Sequence, residues 1–185
     1  GWIDARGEHE PQPGEATAWA EALDGRVWAA AVAGTTLCVQ DRYGRLAVWD
    51  LTADRRVAGR QLGTGDVAAT PGACVVRAGD AVGRLAADGT WTELLEGASA
   101  IAPDDDGVLA AVGDRIIRID EAGAIEELGE GLVGATTVAR SGPTMAFGLP
   151  GGDVALRAPG DPHGSLSLEE PPPYDATRLR LLGQD

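Results

Sequence analysis

Short apolar runs recur along this chain at a fixed interval. Leu37-Cys38-Val39, Ala73-Cys74-Val75, Leu109-Ala110-Ala111 and Met145-Ala146-Phe147 have their centres at 38, 74, 110 and 146, each 36 residues after the last. Self-similarity at this period is the mark of a repeat architecture. Each run leads into a turn rich in Gly and Asp: Asp41-Arg42-Tyr43-Gly44, Ala78-Gly79-Asp80, Gly113-Asp114 and Gly151-Gly152-Asp153. Such residues supply the backbone angles that tight hairpins need. Returning strands follow at Arg45–Asp50, Ala81–Leu85, Arg115–Asp120 and Val154–Arg157. Their weak alternation suits strands covered on both faces.

A further strand in each repeat carries charges at alternate positions. Trp91-Thr92-Glu93-Leu94-Leu95-Glu96-Gly97 and Ile125-Glu126-Glu127-Leu128-Gly129-Glu130-Gly131 share a frame that Trp19–Gly25 also fits. Charge on an outermost strand blocks edge-to-edge aggregation. The strand that opens each repeat is short and alanine-rich: Trp28–Ala33, Val67–Thr70, Ala100–Ala102 and Ala135–Ala139. Small side chains belong where sheets crowd together, near a central axis. The order is therefore inner, second, third and outer strand, then the next repeat. These are blade-sized units, and the pattern predicts an all-β fold, a β-propeller of four full four-stranded blades. The blades are expected over 26–65, 66–97, 98–131 and 132–172. Residues 1–25 then give outer strands of a preceding blade, and 173–185 the first strand of a further one.

The residues also resemble known propeller repeats. Leu46-Ala47-Val48-Trp49-Asp50-Leu51 is similar to the third-strand ending of WD-repeat propellers, although the Gly-His expected ahead of it is missing. Arg118-Ile119-Asp120-Glu121-Ala122-Gly123-Ala124-Ile125 resembles quinoprotein-like and NHL-like bacterial propellers. The similarity spans roughly residues 17–172. It implies fold more sharply than function, since these families include scaffolds, sensors and some enzymes.

Charge narrows the partners. The net charge is −14, and all fifteen basic residues are arginine. No basic footprint for nucleic acid is present. No apolar run reaches the length of a membrane span. The acidic surface fits a solubility role or a basic protein partner. Absence of lysine and asparagine matches a GC-rich bacterial coding bias. No leader of the basic-then-apolar kind is visible, and a cytoplasmic location is expected. Cys38 and Cys74 form no metal-spaced cluster. In equivalent strands of adjacent blades, they are expected to be buried and unpaired.

Candidate chemistry is sparse. Asp104-Asp105-Asp106-Gly107 places its acids consecutively, whereas a calcium loop alternates them. His9 and His163 are the only histidines, and neither sits in a ligand cluster. No nucleophile elbow or phosphate-binding loop is present. The reading is a non-catalytic scaffold or sensor for protein–protein interaction, without a cofactor, within a larger bacterial regulatory protein or complex. The alternative is a small-ligand or enzymatic propeller that uses its central channel. A binding rim for that alternative would be Asp41, Asp80, Asp114 and Asp153, one per blade; as turn formers they need no such role. Pro171-Pro172-Pro173-Tyr174 is a candidate interaction segment, because a proline run holds an extended form that aromatic grooves accept; a stiff linker is its other reading. The terminal segments lack a second strand between them. They are expected to pair with each other, or with a protein partner or another segment of the parent protein that completes the propeller.

Overall fold

The computed structural model describes residues 2–4, 7–9, 27–105, 107–158 and 165–166. A hairpin of β1 (Trp2–Asp4) and β2 (Gly7–His9) comes first. Four antiparallel four-stranded sheets follow, each with its strands in chain order. Blade 1 holds β3 (Val27–Ala33), β4 (Thr36–Asp41), β5 (Arg45–Asp50) and β6 (Arg55–Gln61). Blade 2 holds β7 (Gly65–Thr70), β8 (Ala73–Ala78), β9 (Ala81–Ala86) and β10 (Trp91–Leu95). Blade 3 holds β11 (Ala98–Asp104), β12 (Gly107–Val112), β13 (Arg115–Ile119) and β14 (Ile125–Glu130). Blade 4 holds β15 (Thr137–Ser141), β16 (Thr144–Gly148), β17 (Val154–Arg157) and β18 (Ser165–Leu166).

The sheets stack in chain order, with the inner strands β3, β7, β11 and β15 nearest one another. Three apolar interfaces hold the stack. Cys38, Leu46 and Val48 of blade 1 meet Cys74, Val76 and Leu85 of blade 2. Ala68, Val75 and Val82 of blade 2 meet Ile101, Val108 and Ile117 of blade 3. Leu109, Ala111 and Ile116 of blade 3 meet Val138 and Phe147 of blade 4. The central strands of blades 2 and 3 therefore bury both faces, which is why their sequences read as apolar runs. Truncating a fully buried residue such as Leu109 to Ala would cost about 2–5 kcal/mol.

The strand pairing refines the 36-residue period. The pairs that close the first turn of each blade are Ala33↔Thr36, Thr70↔Ala73, Asp104↔Gly107 and Ser141↔Thr144. The steps from 36 to 73, 107 and 144 are thus 37, 34 and 37 residues. The structural counterpart of Cys38 is Val75, and that of Cys74 is Leu37. A shift of one residue turns a strand's side chains to the opposite face. Cys38 accordingly faces forward to blade 2, and Cys74 faces back to blade 1.

This corrects the expectation for the cysteines. They are buried, but they form a disulfide, with Cα atoms 5.6 Å apart. Two side chains at equivalent positions would point the same way around the stack and could not meet. The odd step makes them point at each other. The 5.6 Å between these Cα atoms is well inside the ~10 Å usual for packed sheets.

Polar side chains lock the crossings. Gln40 is fully buried, and its amide donates to the Gly63 carbonyl at 3.0 Å and accepts from the Gly65 N–H at 3.0 Å. Both partners lie in or beside the 62–64 link, so one side chain fixes the passage from blade 1 to blade 2. Thr36 Oγ1 accepts from the Gly72 N–H at 2.7 Å. Arg140 of blade 4 donates to the buried Asp104 carboxylate of blade 3 at 3.0 Å.

Candidate interaction surface

The face of blade 1 that points away from blade 2 differs from the same face elsewhere. Ala30, Val32, Leu37, Val39, Ala47 and Trp49 share it by register. Counting from the first turn, Ala30 corresponds to Val67, which is half-buried, and to Ile101 and Val138, which are 8% and 0% exposed. Ala30 itself is exposed. Val32 is 61% exposed where its counterpart Ala69 is 7% exposed, and Trp28 is 57% exposed. Toward the outer strands Val39, Ala47 and Trp49 form a small buried cluster of their own. The Trp49 indole N–H is buried with no acceptor. Leaving such a donor unpaired costs about 1–3 kcal/mol.

The outer rim of the same blade is basic. From Arg42 to Gln61 the chain carries five arginines against two acids, Asp50 and Asp54. Arg42, Arg55, Arg56 and Arg60 are exposed, and none of them makes an ion pair among the described residues. The cause is local. The Asp50 carboxylate, which sits across from Arg55, turns into its own hairpin and accepts from the N–H groups of Thr52 and Ala53 at 2.9 and 3.2 Å. Arg56 lies across Gly59, where any Cβ would collide with its guanidinium. Arg60 stacks on Trp91 of blade 2, with its guanidinium carbon 4.9 Å from the ring centroid. Trp91 in turn covers Gly83 of its own blade and packs against the apolar cluster between blades 1 and 2. A shallow groove runs along this hairpin, lined by Arg45, Ala47, Arg56, Gly59, Arg60 and Gln61.

The four aspartates read as a rim lie at one end of their blades, in the turns between second and third strands, but in two different settings. Asp41 ends β4 and is fully buried. Its carboxylate accepts from the N–H groups of Tyr43 and Arg45 at 2.8 and 3.0 Å and from Arg45 Nε at 2.6 Å. Burial pushes its acidity one way. The bonds from Arg45 and Tyr43, with the Arg45 charge, outweigh that and hold the carboxyl below its ordinary pKa. This group organises a turn. Asp80, Asp114 and Asp153 are exposed turn residues. The backbone carbonyl of Asp80 accepts from the N–H of Ala98, which opens β11, at 2.9 Å, and that of Asp114 from the N–H of Gly131, just past β14, at 2.6 Å. Pro171, Pro172, Pro173 and Tyr174 lie outside the described residues, as do His163, Trp19 and the terminal segments beyond the first hairpin. Among the described residues no three His, Cys, Asp or Glu side chains group as metal ligands. The basic rim was missed from sequence because net charge hides a local excess; counting charge by strand would have found it.

The chain has a β-propeller fold. No family model matches it, and no curated protein does. It is similar to the computationally designed Ika8 protein, with a TM-score of 0.54 at 20% identity, over 80% of this chain and 51% of that one. It is similar to the designed Ika4 protein, with a TM-score of 0.52 at 18% identity, over 74% of this chain and 94% of that one. It also resembles a chain in a Saccharomyces cerevisiae complex of Dbp5 bound to Nup159 and Gle1, with a TM-score of 0.54 at 12% identity, over 70% of this chain and 44% of that one. The chain thus spans about half the length of the Ika8 and yeast chains. These likenesses concern the fold.

Proposed function

We propose that this chain is a non-catalytic propeller scaffold or sensor module for protein–protein interaction, part of a larger bacterial regulatory protein or complex, and that a polypeptide segment covers the free face of its first blade. The observation that carries the reading is the exposure of Ala30, whose counterparts Ile101 and Val138 are buried between blades, together with that of Val32, whose blade 2 counterpart Ala69 is buried. Exposed apolar surface of this kind marks a contact site. An added strand would also offer a carbonyl to the Trp49 N–H. That a structural neighbour occurs in an assembly of proteins is consistent with a scaffold role. The WD-like Trp49-Asp50 pair supports kinship with WD-repeat propellers, and the blade 3 motif with quinoprotein-like and NHL-like ones. The disulfide supports an oxidising compartment in place of the cytoplasm expected from sequence, because reducing compartments keep such thiols free.

A photo-crosslinking residue at position 32, used in the producing cell, tests the covering segment. A single defined polypeptide adduct, either within the parent protein or on a partner, is the expected result. Absence of any adduct at 32, with crosslinking elsewhere on the chain intact, would defeat the reading.

A further inference from the structure

We infer that the outer edge of blade 1, strand β6, is a docking strand for an extended acidic segment of a partner protein, one carrying consecutive Asp or Glu residues. The inference names a partner for the scaffold proposed above and lies on a different surface from the covered face.

Charge makes the first part of the case. The chain has 29 acidic and 15 basic residues, so an arginine finds a carboxylate easily. Arg45, Arg77, Arg115, Arg118, Arg140 and Arg157 all do. Among the described residues, the exposed arginines without one, Arg42, Arg55, Arg56 and Arg60, all belong to the β4–β6 stretch of blade 1. The overall charge of −14 does not cancel this local sign. At physiological salt a charge is screened beyond about 8 Å. An extended ligand on β6 therefore reads the arginines beside it more than the distant carboxylates.

Backbone makes the second part. β6 is seven residues long and, among the described residues, is the terminal strand of its sheet, with no strand beyond its outer N–H and C=O groups. An extended peptide can add to such an edge, with backbone bonds giving affinity and side chains giving selectivity. The usual guards of an edge are present as charge of one sign and a single bulge near its start. β6 is the basic outer edge; Glu93 marks β10, and Glu126, Glu127 and Glu130 mark β14.

Register gives the sequence preference. A bulge between Val48 and Trp49 shifts β6, so Arg56 stands opposite Trp49 while Arg60 stands opposite Leu46. Trp49 and Leu46 belong to opposite faces of blade 1. The arginines therefore flank the edge on both faces. Side chains of an added strand alternate between those faces. A run of adjacent acids meets both sets; a strand with acids at every second position meets one.

The test uses the whole purified chain and a dye-labelled decaglutamate peptide, followed by fluorescence anisotropy. Saturable binding is expected, weakening as salt rises. The triple variant R55E/R56E/R60E should weaken it at least tenfold while keeping the wild-type melting temperature. An alternating Glu-Ser peptide and a decaglutamate N-methylated at every second amide should each bind at least tenfold more weakly. The control E126Q/E127Q, on another blade, should leave affinity unchanged if the protein remains folded. Equal binding by the triple variant would overturn the inference. So would equal binding by the N-methylated peptide or by a ten-nucleotide thymidine oligomer, since either would show a general anion patch without strand addition. Failure here leaves the crosslink at position 32 unaffected.

Discussion

Strands β6 and β14 occupy the same place in their blades and solve the same problem in opposite ways. Both are outer edges, exposed and charged. On β14 the charge is acidic and internally answered: Glu126 pairs with Arg118, Glu127 with Arg115 and Glu130 with Arg157 of the next blade. On β6 the charge is basic, and Arg55, Arg56 and Arg60 are exposed with no carboxylate partner among the described residues. An edge strand needs charge only to repel its own kind, and β14 is sufficient for that. Unanswered charge of the minority sign is more than self-protection requires. The lesson is that net charge describes solubility, whereas the placement of the minority charge describes recognition.

Four experiments break or sharpen this contrast. The largest effect concerns the platform on which β6 sits. Blade 1 is tied to blade 2 by the Cys38–Cys74 bridge, which closes a sequence separation of 36 residues. Replacing both cysteines by alanine should cost about 3 kcal/mol in denaturant unfolding. Thiol titration of unreduced, denatured protein should find no free cysteine; two free thiols would return the pair to the unpaired state expected from sequence. Next comes the link that carries β6 into β7. Gln40→Ala leaves the Gly63 carbonyl and the Gly65 N–H without their partner, and a loss of about 2 kcal/mol is expected. No change in the denaturation midpoint would mean that the crossing is held by other groups.

The third concerns the turn at the base of the basic hairpin. The Asp41 carboxyl has a lowered pKa in the folded chain, so its contribution is present above the unfolded value near 4 and is lost as pH falls through the folded value. Asp41→Asn should cost about 1–3 kcal/mol at pH 7 and flatten the loss of stability below pH ~4. An acid-unfolding curve parallel to the wild type would remove Asp41 from that role. The smallest effect tests the comparison itself. E126Q/E127Q/E130Q should change stability by less than about 1 kcal/mol, since exposed pairs contribute little. It removes the β14 carboxylates beside Arg115, Arg118 and Arg157, so it asks whether a second basic patch binds decaglutamate. Binding there equal to that at β6 would show that free arginines suffice and that the two edges do not differ in kind.

Much of this architecture was legible in the residues. Local rules place each strand. Gly79 and Gly113 have φ of 68° and 60°, angles that a two-residue hairpin demands and that glycine adopts without cost. Alanine-rich inner strands, apolar central strands and charged outer strands each follow from the room available at that radius. The second strands of the four blades fell where the apolar runs placed them. Asp41, Asp80, Asp114 and Asp153 were legible as turn residues for the same reason. The sequence alone thus determined strand, turn and blade order, because those depend on neighbours a few residues away.

Tertiary structure decided which way each side chain looks around the stack. A period of 36 and steps of 37, 34 and 37 differ by at most two residues, yet an odd shift reverses a face. That reversal put Cys38 and Cys74 together, and a like shift at the β6 bulge set Arg56 and Arg60 on opposite sides of one edge. Whether an arginine is answered is likewise a matter of which carboxylates the fold brings near. Asp50 lies five residues from Arg55 and pairs with it in register, but spends its oxygen on a turn. Contacts of that kind are set by where blades meet and where hairpins bend, and a linear pattern carries only their average.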